Sequence, residues 1–204
     1  MTRDPKSRML MLARVWAYPL WVGASRSNAA DEVAEDVDFW VECINDASLR
    51  ELESYSRFAY LSASLSEFRT VLHYRLRSAP LPLRLLLRVL YRPHPTLILN
   101  AGRIGPGLFI QHGFATGIDA ESIGSHCWIN QQVTIGHTPR GNPILGDHVR
   151  VGAGAIVIGP VTLHDGATVG ANATVTRDVP PGATVVSPAA TELRPRRADG
   201  EPRA

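Results

Sequence analysis

The side chains best suited to moving a proton near neutral pH are the histidines, of which this 204-residue chain has seven. An imidazole with an ordinary pKa of about 6.5 can take a proton from a hydroxyl that would otherwise be a poor nucleophile. His112 stands in "LFIQHGFATGI", with apolar, small and amide residues around it and no acid, base or second histidine beside it. A lone histidine does not define a site, so its reading depends on what holds it. His137 closes "INQQVTIGH" at the edge of the segment "TPRGNP", which carries Arg140 and Asn142. His73 reads as part of a helix, and His126, His148 and His164 as surface residues at corners. The two cysteines, Cys43 and Cys127, have no CxxC or Cys/His ligand spacing, which argues against a zinc site or a disulfide framework and for a reducing cytoplasm.

Two kinds of sequence must position these residues. Before about residue 93 the chain is rich in Leu, Arg, Glu and Ser with few glycines, and its apolar residues fall at helical spacing. In "DEVAEDVDFWVECIND" Val33, Val37, Trp40, Val41 and Ile44 form one helix face, with a stop at Asn45 and Asp46. "LSEFRTVLHYRLRS" and "LPLRLLLRVLYR" predict two further helices, the second bounded by Pro80, Pro82 and Pro93. In that last helix Arg84, Arg88 and Arg92 make a basic stripe beside leucines. The expectation is that the leucines pack on the protein itself and the arginines face solvent; a membrane-surface helix is the alternative. Met9–Val22 is shorter than a bilayer span and contains Arg14 and Pro19, so it predicts a buried or surface-lying helix.

After residue 97 the spacing becomes a repeat. Aliphatic residues fall at Ile98, Ile104 and Ile110, at Ile123, Ile129 and Ile135, and at Leu145, Val151, Val157, Leu163, Val169 and Val175, in steps of six. The register slips once between the first two groups and takes an insertion around "TPRGNP" before the third. A short fixed period held this long means one structural unit stacked along an axis, each burying its aliphatic residue against its neighbours. Small residues after each aliphatic one allow tight corners.

These hexapeptides, in "IQHGFATGI", "IGSHCWINQQVTIGH" and "ILGDHVRVGAGAIVIGPVTLHDGATVGANATVTRDVPPGATVV", resemble those of the left-handed parallel β-helix acyltransferases, and among them the serine acetyltransferase-like branch. The resemblance implies a mainly β fold with a left-handed β-helix over 94–188; the helical spacing gives an α-helical region over residues 1–93 before it, and the polar, aperiodic "ATELRPRRADGEPRA" a flexible tail over 189–204. It implies an acetyl-CoA-dependent O-acetyltransferase acting on a hydroxyl of a small molecule or saccharide, with no metal. His112 matches the family's general base. Gly136, Ala153, Gly154, Ala171, Asn172, Thr176 and Arg177 match positions along the acetyl-CoA groove, and Gln111, His137, Arg140 and Asn142 the acceptor side. A homotrimer with sites between subunits is implied as well.

The chain departs from serine acetyltransferases at three places. Gln111 stands where they carry an aspartate, and Leu97 where they carry the acid that orients the histidine. The "TPRGNP" loop is shorter and lacks their Arg-His pair. Asp119 and Glu121, close to His112 in sequence, could restore a negative charge. A non-catalytic scaffold, an enzyme using a different acyl-CoA, and a metal enzyme drawing on His112, His126 and His137 are the competing readings. A formal charge of +2 without a basic-aromatic cluster argues against nucleic acid, and peripheral membrane contact is not expected.

Overall fold

A computed structural model describes residues 5–192; residues 193–204, most of the expected tail, lie outside them. Helices come first: α1 (Pro5–Ser25), α2 (Ala30–Ile44), α3 (Ala47–Arg50), α4 (Ser54–Ser64), α5 (Ser66–Arg75) with a 3-10 turn at Leu76–Ser78, and α6 (Leu81–Leu90). The Met9–Val22 segment is part of α1, and among the described residues no helix is long and apolar enough to cross a membrane. On α2 the buried face is Val33, Asp36, Val37, Trp40 and Val41. It ends where Asn45 turns left-handed (φ 58°) and its N–H reaches the Val41 and Glu42 carbonyls.

The strands follow as short parallel segments: β1 (Leu97–Ile104), β2 (Phe109–Ile110), β3 (Thr116–Ile123), β4 (Trp128–Ile129), β5 (Thr134–Gly136), β6 (Ile144–Leu145), β7 (Arg150–Val151), β8 (Ile156–Ile158), β9 (Thr162–Leu163), β10 (Thr168–Val169), β11 (Thr174–Val175) and β12 (Thr184–Val185). They stack in three parallel ladders. One joins β1, β3, β5, β8 and β11; a second joins the far ends of β1 and β3 to β6 and β9; the third runs β2-β4-β7-β10-β12. The result is a parallel β-solenoid of about five turns. Its interior is aliphatic: Ile110, Ile129, Val151 and Val169 form one inward column, each at most 1% exposed.

The ladder corrects one assignment made from the period. Ile98 is 68% exposed, and the inward place beside Ile118 belongs to Leu99. The cause is that β1 and β3 run unbroken through a corner, so Leu99 to Ile104 and Ile118 to Ile123 are five-residue steps. α6 is a second correction. Of its large apolar residues only Leu87 is buried; Leu81, Leu83, Leu85, Leu86, Val89 and Leu90 are exposed, so its leucines do not pack on the protein as expected.

The helical region is tied to the first turns of the solenoid by polar contacts that hydrophobic periodicity cannot reveal. Arg75 on α5 grips both oxygens of Asp36 on α2 (2.8 and 3.0 Å) and donates to the Ile104 and Gly105 carbonyls, while the Gly107 N–H donates to Asp36. Trp40 donates its indole N–H to the Leu108 carbonyl (2.7 Å) and meets Phe109 edge-on. His126, read from sequence as a surface residue, bonds Glu35 of α2 at 2.8 Å.

His73 shows how α5 is fastened to the chain after α6: its Nε2–H donates to the Tyr91 carbonyl (2.7 Å). Burial pushes its pKa below the ordinary value, the Tyr91 carbonyl pulls it partly back, and Arg88 and Arg69 push it down again. A histidine held neutral in the fold stabilises it above the unfolded pKa of about 6.5 and loses that contribution as pH falls below it. The melting temperature should therefore drop more steeply between about pH 7 and about pH 5 in the wild type than in His73→Gln. Parallel profiles in a thermal-melt series would remove this role.

Candidate active site

His112 sits in the corner between β2 and β3. The chain turns there through two left-handed residues, His112 (φ 54°) and Ala115 (φ 49°), closed by the Phe114 N–H to the His112 carbonyl. Histidine enters this backbone region more readily than branched residues do. The corner repeats along the solenoid axis. The Gln132 N–H donates to Phe114, the Gly154 N–H to Gln131 and the Asn172 N–H to Ala153, all near 3 Å. Ala153–Gly154 and Ala171–Asn172 thus stand two and three rungs along from His112. Gly154 has φ +70°, and a Cβ there would lie 2.2 Å from Asn172 Oδ1. Gly154→Ala should accordingly lower the melting temperature by several degrees, by about 1 kcal/mol or more; an unchanged melt would show that the rung can shift.

His112 is exposed, and its ring makes no hydrogen bond among the described residues. Leu97 is 6% exposed and packs beneath Gly113. A carboxylate does reach this corner, from an unexpected element. Glu67, in the first turn of α5, accepts from the Gly113 N–H (3.2 Å) and lies 3.8 Å from His94 Nε2. A Cβ on Gly113 would come within 3.0 Å of Glu67 Cγ, so the glycine makes room for the acid.

Asp119 and Glu121 are not at this corner. Asp119 follows the first half of β3, one corner further on, where its carboxylate is held on both oxygens. His137 Nδ1 lies 2.6 Å from Oδ2; Asn100 (2.8 Å) and Asn142 (3.3 Å) donate to Oδ1. The carboxylate accepts only, so Nδ1 carries the proton and Nε2 is left as an acceptor. The loop beyond is closed by reciprocal bonds between Thr138 and Gly141, with Arg140 exposed at its tip. Gly136 ends β5, and a Cβ there would meet only Thr134, at 3.8 Å. Thr176 and Arg177 follow β11 on the same side of the solenoid, both exposed.

The sequence-derived site residues therefore divide between two corners of one chain. Gln111, His112, Ala153, Gly154, Ala171 and Asn172 share the first, joined by Glu67. Gly136, His137, Arg140, Asn142, Thr176 and Arg177 share the second, joined by Asp119 and Asn100. Burial pushes the Cys43 and Cys127 thiols up to about 12, so neither is a thiolate nucleophile near neutral pH. Among the described residues of one chain no three His, Cys, Asp or Glu converge as metal ligands.

Comparison with known proteins agrees with this architecture. A family model described as bacterial transferase hexapeptide (six repeats) matches residues 142–177. The serine acetyltransferase of Synechococcus elongatus is 42% identical over 89 residues, covering 41% of this chain and 36% of that protein. That of Helicobacter pylori is 43% identical over 89 residues, covering 41% and 52%. The chain thus spans only about a third to a half of the curated relatives it matches. Among solved structures, Neisseria gonorrhoeae serine acetyltransferase in complex with serine superposes with a TM-score of 0.60 at 25% identity, covering 86% of this chain and 73% of that one. Soybean serine acetyltransferase complexed with serine gives 0.61 at 28%, covering 81% and 70%. Repeat, solenoid and relatives together show that this chain carries the hexapeptide-repeat fold and is similar to the serine acetyltransferases.

Proposed function

We propose that the protein is an acetyl-CoA-dependent O-acetyltransferase whose acceptor is L-serine or a close amino alcohol. The observation that carries this is Glu67 bonded to the Gly113 N–H, one residue from His112: one corner offers a proton acceptor and a fixed carboxylate, the two groups that a hydroxyl and a nearby ammonium require. An ammonium leaving water needs a counter-charge. Glu67 supplies one where Gln111 and Leu97 do not. The names of the relatives favour serine, and none of those compared names a saccharide.

In this reading His112 takes the proton of the acceptor hydroxyl as its oxygen bonds to carbon and the carbon–sulfur bond breaks, and the proton then passes to the leaving thiol. The thioester supplies an activated acetyl carbon. The small residues Gly136, Ala153, Gly154 and Ala171 with Asn172, Thr176 and Arg177 line the coenzyme's path, and His137, Arg140 and Asn142 meet the acceptor from the other side. His112 with Ala153, Gly154, Ala171 and Asn172 lies on one corner and Gly136, Thr176 and Arg177 with His137, Arg140 and Asn142 on another, so a complete site needs the second corner of a neighbouring chain. A homotrimer closed about a three-fold axis between the chains supplies it three times over. The division into a helical region over 1–93 and a solenoid over 94–188 belongs to the same reading, with α5 contributing Glu67 across the boundary.

The acceptor is tested by thiol release from acetyl-CoA with L-serine, L-homoserine, 3-hydroxypropionate and simple glycosides. Serine should be the best. Glu67→Gln should raise KM for serine by about tenfold with kcat nearly kept, and leave 3-hydroxypropionate, which has no ammonium, unchanged. Equal effects on both acceptors would remove Glu67 as the ammonium partner, and preference for a glycoside would overturn serine.

A further inference from the structure

Between α5, α6 and the start of β1 lies a cleft of about 510 Å³. Its walls include three arginines, Arg77, Arg84 and Arg88, and two histidines, His73 and His94, with no Asp or Glu. Arg84 and Arg88 are one helical turn apart and project from the same side of α6. Neither has an ion-pair or hydrogen-bond partner among the described residues, whereas Arg14, Arg57 and Arg75 each meet a carboxylate. Arg77 is held in place: its guanidinium lies 3.8 Å over the Tyr74 ring and donates to the Gly102 carbonyl (3.3 Å). Like charges gathered without a counter-charge repel one another, and a bound anion relieves that repulsion. The volume suits a small organic molecule better than a lone ion, and Pro93, Pro95, Leu97 and Ile98 give it an apolar wall.

We propose that this cleft binds a phosphate-bearing ligand, gripped by Arg84 and Arg88 with Arg77 also on its wall. Guanidinium forks match phosphate oxygens two at a time, which is why phosphate is the anion these residues fit. The cleft abuts the His112 corner at Leu97 and His94, but the proposal does not depend on the acetyltransferase reading. A soluble phosphate ester and a lipid headgroup present the same group. The exposed leucines of α6 beside it would lie against the acyl region in the second case.

Calorimetric titration of the full chain with inorganic pyrophosphate at low salt, and co-sedimentation with phosphatidylcholine vesicles with and without phosphatidic acid, test it. The wild type should show saturable binding in at least one arm. Arg84→Gln/Arg88→Gln should weaken that binding by about tenfold or more, with an unchanged circular dichroism spectrum and melt. Arg26→Gln/Arg50→Gln, the same charge change at exposed positions elsewhere, should leave it as it was. Pyrophosphate binding alone assigns a soluble ligand, and binding only to vesicles with phosphatidic acid assigns a headgroup. No binding in either arm, or equal weakening by the two double variants, would overturn the proposal.

Discussion

His112→Asn is expected to lower kcat/KM for serine-dependent thiol release by about 10²–10⁴-fold, the range for loss of a general base. Asparagine is the informative substitution because position 112 has φ 54°, a conformation asparagine adopts readily and alanine does not. His112→Ala should lose the same activity and some stability besides. The imidazole is exposed and without a hydrogen-bond partner among the described residues, so replacing it leaves no buried group unsatisfied and should not disturb the rungs above it. KM for acetyl-CoA should stay near the wild-type value, since the coenzyme's proposed contacts lie two and three rungs away or on the other corner. Steady-state kinetics on the two variants check this. An asparagine variant that keeps most of its activity would assign the proton transfer elsewhere, and His137, whose Nδ1 is fixed by Asp119, would be the next candidate.

The largest effect on stability is expected at the junction of helices and solenoid. Asp36→Ala should cost about 3–5 kcal/mol, because it leaves the Arg75 guanidinium buried without its counter-charge. Asp36 is 0% exposed and Arg75 6%. Burial pushes the Asp36 carboxyl up, and the Arg75 hydrogen bonds and charge with the Gly107 and Leu108 N–H groups pull it back down. Removing both partners together, as Asp36→Leu/Arg75→Met, should cost distinctly less than the single change, since no charge is stranded. The Ile104 and Gly105 carbonyls lose their donors in that variant, which keeps it below wild type. Chemical denaturation of the wild type, the single and the double variant measures the difference; a double variant no better than the single one would show that the pair is not the unit that matters.

The solenoid was legible because burial in a stacked coil depends on a short local period, which Leu145 through Val175 keep without a break. It was misread only at Ile98, where two strands run straight through a corner and shorten the step; aliphatic residues stand at both 98 and 99, so composition does not choose between them. α2 was legible down to its stop at Asn45 for the same local reason. The polar junction of Asp36, Arg75 and the Ile104–Gly107 backbone was not, since its partners are brought together only by the fold. Glu67 escaped notice on the same ground: an acid in the first turn of a helix is unremarkable until that helix end is laid against Gly113. The opposite error was made with Asp119, which is close to His112 in sequence yet one corner away in space. Three ladders separate neighbours along the chain and join residues about a turn apart, so sequence distance is a poor guide to a site built on corners. α6 was misjudged because a leucine-rich helix usually buries its leucines, and nothing in its own ten residues says otherwise.

The claim that ties these observations together is that two corners from two chains make one catalytic site. Mixed trimers test it most directly: His112→Asn chains are co-refolded with His137→Ala/Asn142→Ala chains, each nearly inactive alone, and serine-dependent thiol release is measured. Random assembly of equal amounts leaves about a quarter of the interfaces with both corners intact, so about a quarter of wild-type activity should return. Mixed trimers with no recovered activity, or a second-corner variant that is fully active by itself, would contradict the shared site.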